Sequence, residues 1–212
     1  MSFFFWNCQG AGGASFLRTM RMYSQMYNPQ ILVLLEPRIS GRKADLVIKK
    51  LGWPFSHRVE AMGFLRGIWI LWQNGWSIKI KENNRQYVHM SVFEADSWSM
   101  DLTAIYGSPV ANNRKFLWQN LINLGAKLEV PWRKGKRGSL RRGAGYRLFQ
   151  RCFAELNLLD LGYKGPHFTW SRSGVWVRLD RALCNALWHM KFQEASVFHL
   201  PRMNSDHRPI LL

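Results

Sequence analysis

Residues 2–36 read SFFFWNCQGAGGASFLRTMRMYSQMYNPQILVLLE, and this stretch decides the fold class. Ser2–Trp6 and Gln30–Leu35 are apolar almost throughout and bounded by Gly or Pro, the pattern of strands covered on both faces. Between them Phe16, Leu17, Met20, Tyr23 and Tyr27 recur at helical spacing. The segment therefore reads strand, helix, strand. Each strand stops at a polar residue, Asn7 and Glu36.

Working outward, Ala44, Val47, Ile48 and Leu51 repeat the helical pattern. Four strands follow, Gly67–Trp72, Trp76–Lys81, Gln86–Phe93 and Trp98–Tyr106, separated by turn residues, which predicts an antiparallel meander. Two helices come next, around Asn113–Leu124 and Tyr146–Leu156. Pro131 to Gly145 between them holds no apolar run able to make a strand, and Arg133–Arg151 carries eight basic residues and no acidic one. A mobile basic loop is expected there. Leu158–Leu161, Phe168–Ser171, Trp176–Cys184, Ala195–Leu200 and Pro209–Leu212 read as short strands, with a helical piece at Ala186–Phe192. No internal repeat is present. Strands dominate and helices flank them, so the expectation is α/β with two packed sheets between helices.

A chain of 212 residues, 47% of them hydrophobic, fills one core, and a single domain over 1–212 is expected. Thirty Lys and Arg against thirteen Asp and Glu give a net charge of +17 and a pI near 10.5. The first partner to consider is nucleic acid, with Arg133, Lys134, Lys136 and Arg137 as candidate phosphate contacts. Cys8, Cys152 and Cys184 form no metal or redox pair and read as buried, reduced thiols, so no disulfide-linked partner is expected. No apolar run approaches the roughly 20 residues that span a bilayer. The first residues lack a basic region and predict no signal peptide, so an intracellular place of action is expected, and a nuclear one if nucleic acid is the partner. The chain has neither a phosphate-binding G-x-x-x-x-G-K-[ST] loop nor a G-x-S-x-G nucleophile elbow. Trp6, Trp69, Trp72 and Trp170 lie inside expected strands and read as core. Trp53, Trp132 and Trp176 are the better candidates for stacking on bases.

Asn7, Glu36, Tyr106, Asp180, Asp206 and His207 all fall at or just beyond the ends of expected strands, where loops converge to build sites. Glu36 and Asp206 are the hard oxygen ligands that Mg²⁺ prefers. Asn7, Tyr106 and His207 are donors suited to phosphoryl oxygens. Taken singly each has a bland reading as well: a Glu after an apolar strand is commonly a solvated turn residue, and a lone His is commonly structural.

The words Trp6-Asn7-Cys8-Gln9-Gly10, Leu35-Glu36-Pro37, Tyr106-Gly107-Ser108-Pro109, Pro131-Trp132, Gly165-Pro166-His167-Phe168-Thr169-Trp170, Arg178-Leu179-Asp180-Arg181 and Ser205-Asp206-His207-Arg208-Pro209 resemble, in order, the endonuclease/exonuclease/phosphatase superfamily. The most similar variant is the endonuclease domain of plant LINE-type non-LTR retrotransposons. The resemblance covers nearly the whole chain. It implies a four-layer sandwich, two mainly antiparallel β-sheets packed face to face and flanked by helices, and hydrolysis of phosphodiesters with Mg²⁺ or Mn²⁺. It implies further that Glu36 binds the metal with Asp206 close to it. Asn7 and Tyr106 would contact the phosphate, His207 would stabilise the transition state and Asp180 would orient it.

The departures matter equally. Relatives carry a Gly-Asp-Phe-Asn word on a strand after Pro-Trp, whose Asp activates water and whose Asn holds the phosphate. Here Pro131-Trp132 runs directly into Arg133-Lys134-Gly135-Lys136-Arg137, and no Asp or Glu occurs between Glu129 and Glu155. That is the mark of an internal deletion near 132–133, with a missing interior strand. Arg66 stands before Gly67 where relatives keep a small residue. Leu212 follows close upon the last motif, so a frayed final strand is expected. The function expected is a retrotransposon-derived DNA endonuclease-like phosphodiesterase, weak or inactive. Its rivals are a catalytically dead, basic nucleic-acid-binding module and an active nuclease or phosphatase with a rearranged site.

Overall fold

A computed structural model describes residues 1–63, 66–94, 98–108, 110–126, 132–137 and 144–212. In chain order the first elements are β1 (Phe3–Asn7), α1 (Ala14–Tyr27), β2 (Ile31–Leu35), α2 (Gly41–Leu51), β3 (Phe55–Val59) and β4 (Ile68–Trp72). Next come β5 (Trp76–Asn84), β6 (Tyr87–Glu94), β7 (Trp98–Ile105), α3 (Ala111–Gly125), β8 (Trp132–Arg137) and α4 (Ala144–Glu155). The last are β9 (Leu159–Asp160), β10 (Trp170–Arg172), β11 (Val175–Val177), β12 (Asp180–Cys184), α5 (Ala186–Lys191), β13 (Phe198–His199) and β14 (Ile210–Leu211).

The strands form two six-stranded sheets, β13-β14-β1-β2-β4-β3 and β5-β6-β7-β8-β12-β9, with β10-β11 as a separate hairpin. Pairing is antiparallel except between β1 and β2 and between β7 and β8. Alternation along β1 shows why the run is apolar on both sides. Phe3 and Phe5 face the other sheet and pack with Met90, Val92, Leu102, Ala104 and Cys184. Phe4 and Trp6 face outward and pack with Phe16, Met20 and Tyr23 of α1 and Ala44 of α2. On the second sheet Tyr87 and Ile105 face outward, against Leu117, Trp118 and Leu121 of α3 and Cys152 of α4. The order is thus helices, sheet, sheet, helices: the expected four layers. Each fully buried large aliphatic side chain in these layers contributes about 1.5–3 kcal/mol relative to exposure.

Four expectations are corrected. The basic segment is not a loop over 132–137: its backbone is β8, an interior strand paired with β7 on one side and β12 on the other. No gap therefore opens in the sheet, because Arg133–Arg137 supplies the backbone donors and acceptors that the neighbours need, whatever its side chains. The four-stranded meander is cut at Gln73-Asn74-Gly75, since β4 belongs to the first sheet and only β5, β6 and β7 form the meander. Trp176–Cys184 is two strands, with Asp180 opening the second rather than following one. The last strand is not frayed, because β14 pairs with both β1 and β13, and Leu212 N donates to Phe3 O at 2.9 Å. Among the described residues no helix is long and apolar enough to cross a membrane. All three cysteines are buried, and none is in a disulfide.

One buried polar cluster crosses the meander. Asp101 on β7 is 2% exposed and accepts from Ser91 Oγ on β6 at 2.7 Å and from Lys81 Nζ on β5 at 2.9 Å. Burial alone would raise its pKa, but His89, Ser91 and Lys81 outweigh it and hold the carboxyl at about 2 against an ordinary 3.8. A carboxyl depressed in the folded state stabilises above its unfolded pKa and loses that contribution as pH falls through the folded one. Urea unfolding should therefore show stability falling between about pH 4 and 2 by on the order of 2 kcal/mol from this group, and Asp101→Asn should flatten that part of the profile.

Candidate active site

Parallel pairing of β1 with β2 puts their C-terminal ends side by side, with Asn7 in register with Leu35. β14 runs antiparallel to β1, so the turn that precedes it, Ser205-Asp206-His207, meets the same end. In the second sheet β7 ends at Ile105 opposite Lys136, and β12 begins at Asp180 opposite Arg137, bringing Tyr106 and Asp180 together at one rim. The topology thus gathers the six candidate residues at one end of the sandwich. Asn7 and Asp180, from different sheets, line one narrow cleft with Trp6 and Ile105.

Two pairs are directly joined. Asn7 Nδ2 donates to Glu36 Oε1 at 3.0 Å, and Asp180 Oδ2 lies 2.8 Å from His207 Nδ1. Thr169 fixes the second pair: its Oγ1 accepts from both Leu179 N and Asp180 N at 2.9 Å, and Arg208 N donates to Thr169 O at 2.7 Å. Ser205 links the two, since its Oγ donates to Asn7 O at 2.7 Å and accepts from His207 N at 3.1 Å. Trp6 Nε1 closes the ring on His207 O at 3.3 Å. Asp206 Oδ1 stands 3.7 Å from His207 Nε2, beyond hydrogen-bond reach. Asn7 Oδ1, Asp206 Oδ1 and His207 Nε2 are buried with no hydrogen-bond partner. Three orphaned polar atoms at one site are a cost that a bound ligand would relieve. Tyr106 is fully buried. Burial raises its phenol above the ordinary value, with the Arg66 and Arg38 guanidiniums pulling the other way.

Glu36 is held from both sides. It sits at φ 56°, and its N–H donates to Gly67 O at 3.1 Å. Gly67 itself needs φ +87°, and a Cβ there would stand 3.0 Å from Val59 O, so a residue without a side chain is required. Arg38 N donates to Arg66 O at 3.0 Å, which sets those two arginines side by side. Arg38 then donates to Glu36 Oε2 through Nε at 3.3 Å and Nη2 at 2.8 Å, with Arg66 Nε at 3.8 Å from the same oxygen. Sequence reasoning missed Arg38. The signal was a cation two residues beyond Glu36, past the end of the word Leu35-Glu36-Pro37.

These contacts test whether the residues fit a divalent ion. Glu36 is 2% exposed and takes a nitrogen donor on each oxygen. An ion at about 2.1 Å from Oε2 would stand no more than about 5 Å from Arg38 Nη2, a repulsion on the order of 5 kcal/mol at an effective dielectric near 20. Among the described residues no group of three or more His, Cys, Asp or Glu could hold a metal ion. As arranged, the set does not fit Mg²⁺.

The remaining expectations divide. Cys8 is buried, and burial pushes its thiol up to about 12. Trp176 is 53% exposed, with Phe168 beside it at 6.4 Å and the Arg202 guanidinium 5.8 Å from its ring. Trp53 instead packs against the cluster beneath α1 and α2. The side chains of Trp132, Arg133, Lys134, Lys136 and Arg137 lie outside the described residues.

The fold has solved counterparts. An AP endonuclease from Leishmania major superposes with a TM-score of 0.70 at 14% identity, over 99% of this chain and 86% of that one. The endonuclease domain of TRAS1, a telomere-specific non-LTR retrotransposon, gives 0.65 at 12% identity, over 99% and 96%. A Staphylococcus aureus beta toxin mutant with bound magnesium ions gives 0.70 at 13% identity, over 99% and 98%. The chain has the endonuclease/exonuclease/phosphatase fold. No protein-family model matches it, and no curated protein matches it. At such identities the likeness establishes the fold alone, so what the site does rests on its own geometry.

Thr169→Val, close in volume, leaves two buried amides without an acceptor. It should lower stability by about 1–3 kcal/mol in urea unfolding. It should also broaden the His207 imidazole signals in ¹H–¹⁵N spectra as Asp180 loses its position.

Proposed function

We propose that this chain is a retrotransposon-derived domain of phosphodiesterase design that binds nucleic-acid backbones and hydrolyses them weakly or not at all. The observation that carries the reading is the contrast within the site. The Asp180–His207 pair is assembled, with Nε2 buried and unpaired, while Glu36 is covered by Arg38. In this reading His207, its Nδ1–H fixed by Asp180, meets a phosphate oxygen through Nε2. Asn7 and Tyr106 flank that phosphate, and Asp206 sits beside the imidazole. The dependence on Mg²⁺ or Mn²⁺ implied by the resemblance would require Arg38 to leave Glu36.

Two features support weak hydrolysis. No carboxylate exists between Glu129 and Glu155 to activate water, and a general base is worth roughly 10²–10⁴ in rate. Arg38, seated on Glu36, fills the place a metal would take. Two features support nucleic acid, DNA first, as partner: the net charge of +17 and the basic strand β8, whose Arg133, Lys134, Lys136 and Arg137 are the proposed phosphate contacts. Such a partner suits a nuclear place of action.

A plasmid-nicking assay beside salt-titrated DNA binding tests this. Binding should weaken linearly in log–log form, with a slope of about 0.9 per phosphate neutralised, and nicking with Mg²⁺ should lie several orders of magnitude below that of an intact AP endonuclease. Robust nicking abolished by Glu36→Gln would favour the active-nuclease rival, and binding insensitive to salt would remove the polyanion reading.

A further inference from the structure

The arginine pair on Glu36 does more than balance a buried charge. Arg38 and Arg66 each keep 36% of their side-chain surface exposed, whereas Glu36 keeps 3%. A carboxylate so buried needs compensation, and in this chain two guanidiniums provide it. They carry more charge than they neutralise: two cations face one anion, leaving a net positive spot beside Asn7, the residue that joins Glu36 to the Ser205–His207 turn. Arg38 spends Nε and Nη2 on one oxygen of Glu36. Its other guanidinium nitrogen, and the Arg66 fork, keep donors in the planar arrangement that matches two phosphate oxygens.

We propose that Arg38 and Arg66, anchored on Glu36, are a guanidinium phosphate-binding pair that replaces the divalent ion, so that the chain takes a nucleic-acid phosphate at this site without metal. This rests on the reading of the domain as a binder of nucleic-acid backbones. It adds a location and a mode. A divalent ion held by Glu36 would supply positive charge for the phosphate. Here the bridge is protein, fixed by the Arg38 N–H to Arg66 carbonyl hydrogen bond, and its charge does not vary with Mg²⁺ supply.

The experiment is fluorescence anisotropy of a labelled DNA duplex with the full chain, in EDTA and in Mg²⁺, across a salt series. Wild type should bind equally well with and without Mg²⁺. Joint replacement of Arg38 and Arg66 by Gln should weaken binding and reduce the log–log salt slope by about 2, one for each phosphate no longer neutralised. The control replaces Lys49 and Lys50, exposed at the far end of α2, by Gln, and should leave the slope nearly unchanged. Glu36→Gln provides the opposite sign: it frees the pair, so affinity in EDTA should hold or rise, where a metal ligand would give a loss confined to Mg²⁺. Binding of Mn²⁺ read by its electron paramagnetic resonance signal should be absent at this site in wild type and gained on replacing both arginines.

Binding that requires Mg²⁺ and ignores the arginine change would overturn the proposal while leaving the polyanion reading intact. An equal loss in the lysine control would overturn it too, showing only bulk charge. Inorganic phosphate that protects the arginine pair without competing with DNA would assign the site to free phosphate and sink the nucleic-acid form. Absence of any salt-dependent DNA binding would instead strike the parent reading. Melting temperatures and Arg→Lys variants, which keep charge without the planar fork, separate these outcomes from misfolding.

Discussion

A carboxylate buried at the meeting point of two parallel strands must be compensated, and Glu36 organises its end of the sandwich through the groups that compensate it. Asn7 reaches across from β1, Arg38 folds back from the chain beyond, and Arg66 arrives on the segment that Gly67 turns. An unpaired charge in that position costs several kcal/mol, so these partners are bound to it by more than proximity. Through Asn7 the constraint passes to Ser205 and then to the His207 turn, which ties the first sheet's last strand to its first. Site and sheet edge are held by one network.

The other sheet contributes by a different rule. Asp180 is placed by backbone register at the start of β12 and by the Thr169 hydroxyl, and its carboxylate meets the His207 imidazole. The site is therefore two half-sites of unlike character. One is rich in guanidinium and compensates an anion internally. The other presents an oriented imidazole with an unpaired nitrogen. Their juxtaposition favours an anionic ligand over a cationic one, in keeping with the overall charge of +17.

What was legible in the sequence follows from the same physics. β1, α1 and β2 were readable because both faces of their strands are covered, leaving uninterrupted apolar runs. β3, Phe-Ser-His-Arg-Val at 55–59, was missed: it is a sheet edge, open to solvent, and carries no such pattern. β8 was missed for a related reason, since Trp132–Arg137 is placed by backbone pairing on both sides rather than by apolar side chains. Gln73-Asn74-Gly75 reads as a hairpin turn, but nothing local tells a chain that β4 and β5 part to different sheets. Asn7, Glu36, Tyr106, Asp180, Asp206 and His207 could be placed near one another from the sequence because each lies close to a strand end, while the roles assigned to them remain proposals. The Arg38 clamp was not legible, because a basic residue after Pro37 looks like any solvated loop cation until the fold brings Glu36 beneath it.

The central claim is that guanidinium, not a metal ion, occupies the Glu36 carboxylate. Anomalous diffraction from crystals equilibrated with Mn²⁺ tests it most directly. The account predicts no manganese peak within about 2.5 Å of Glu36, with Arg38 still seated on Oε2. A manganese peak there, with Arg38 swung away into solvent, would contradict it.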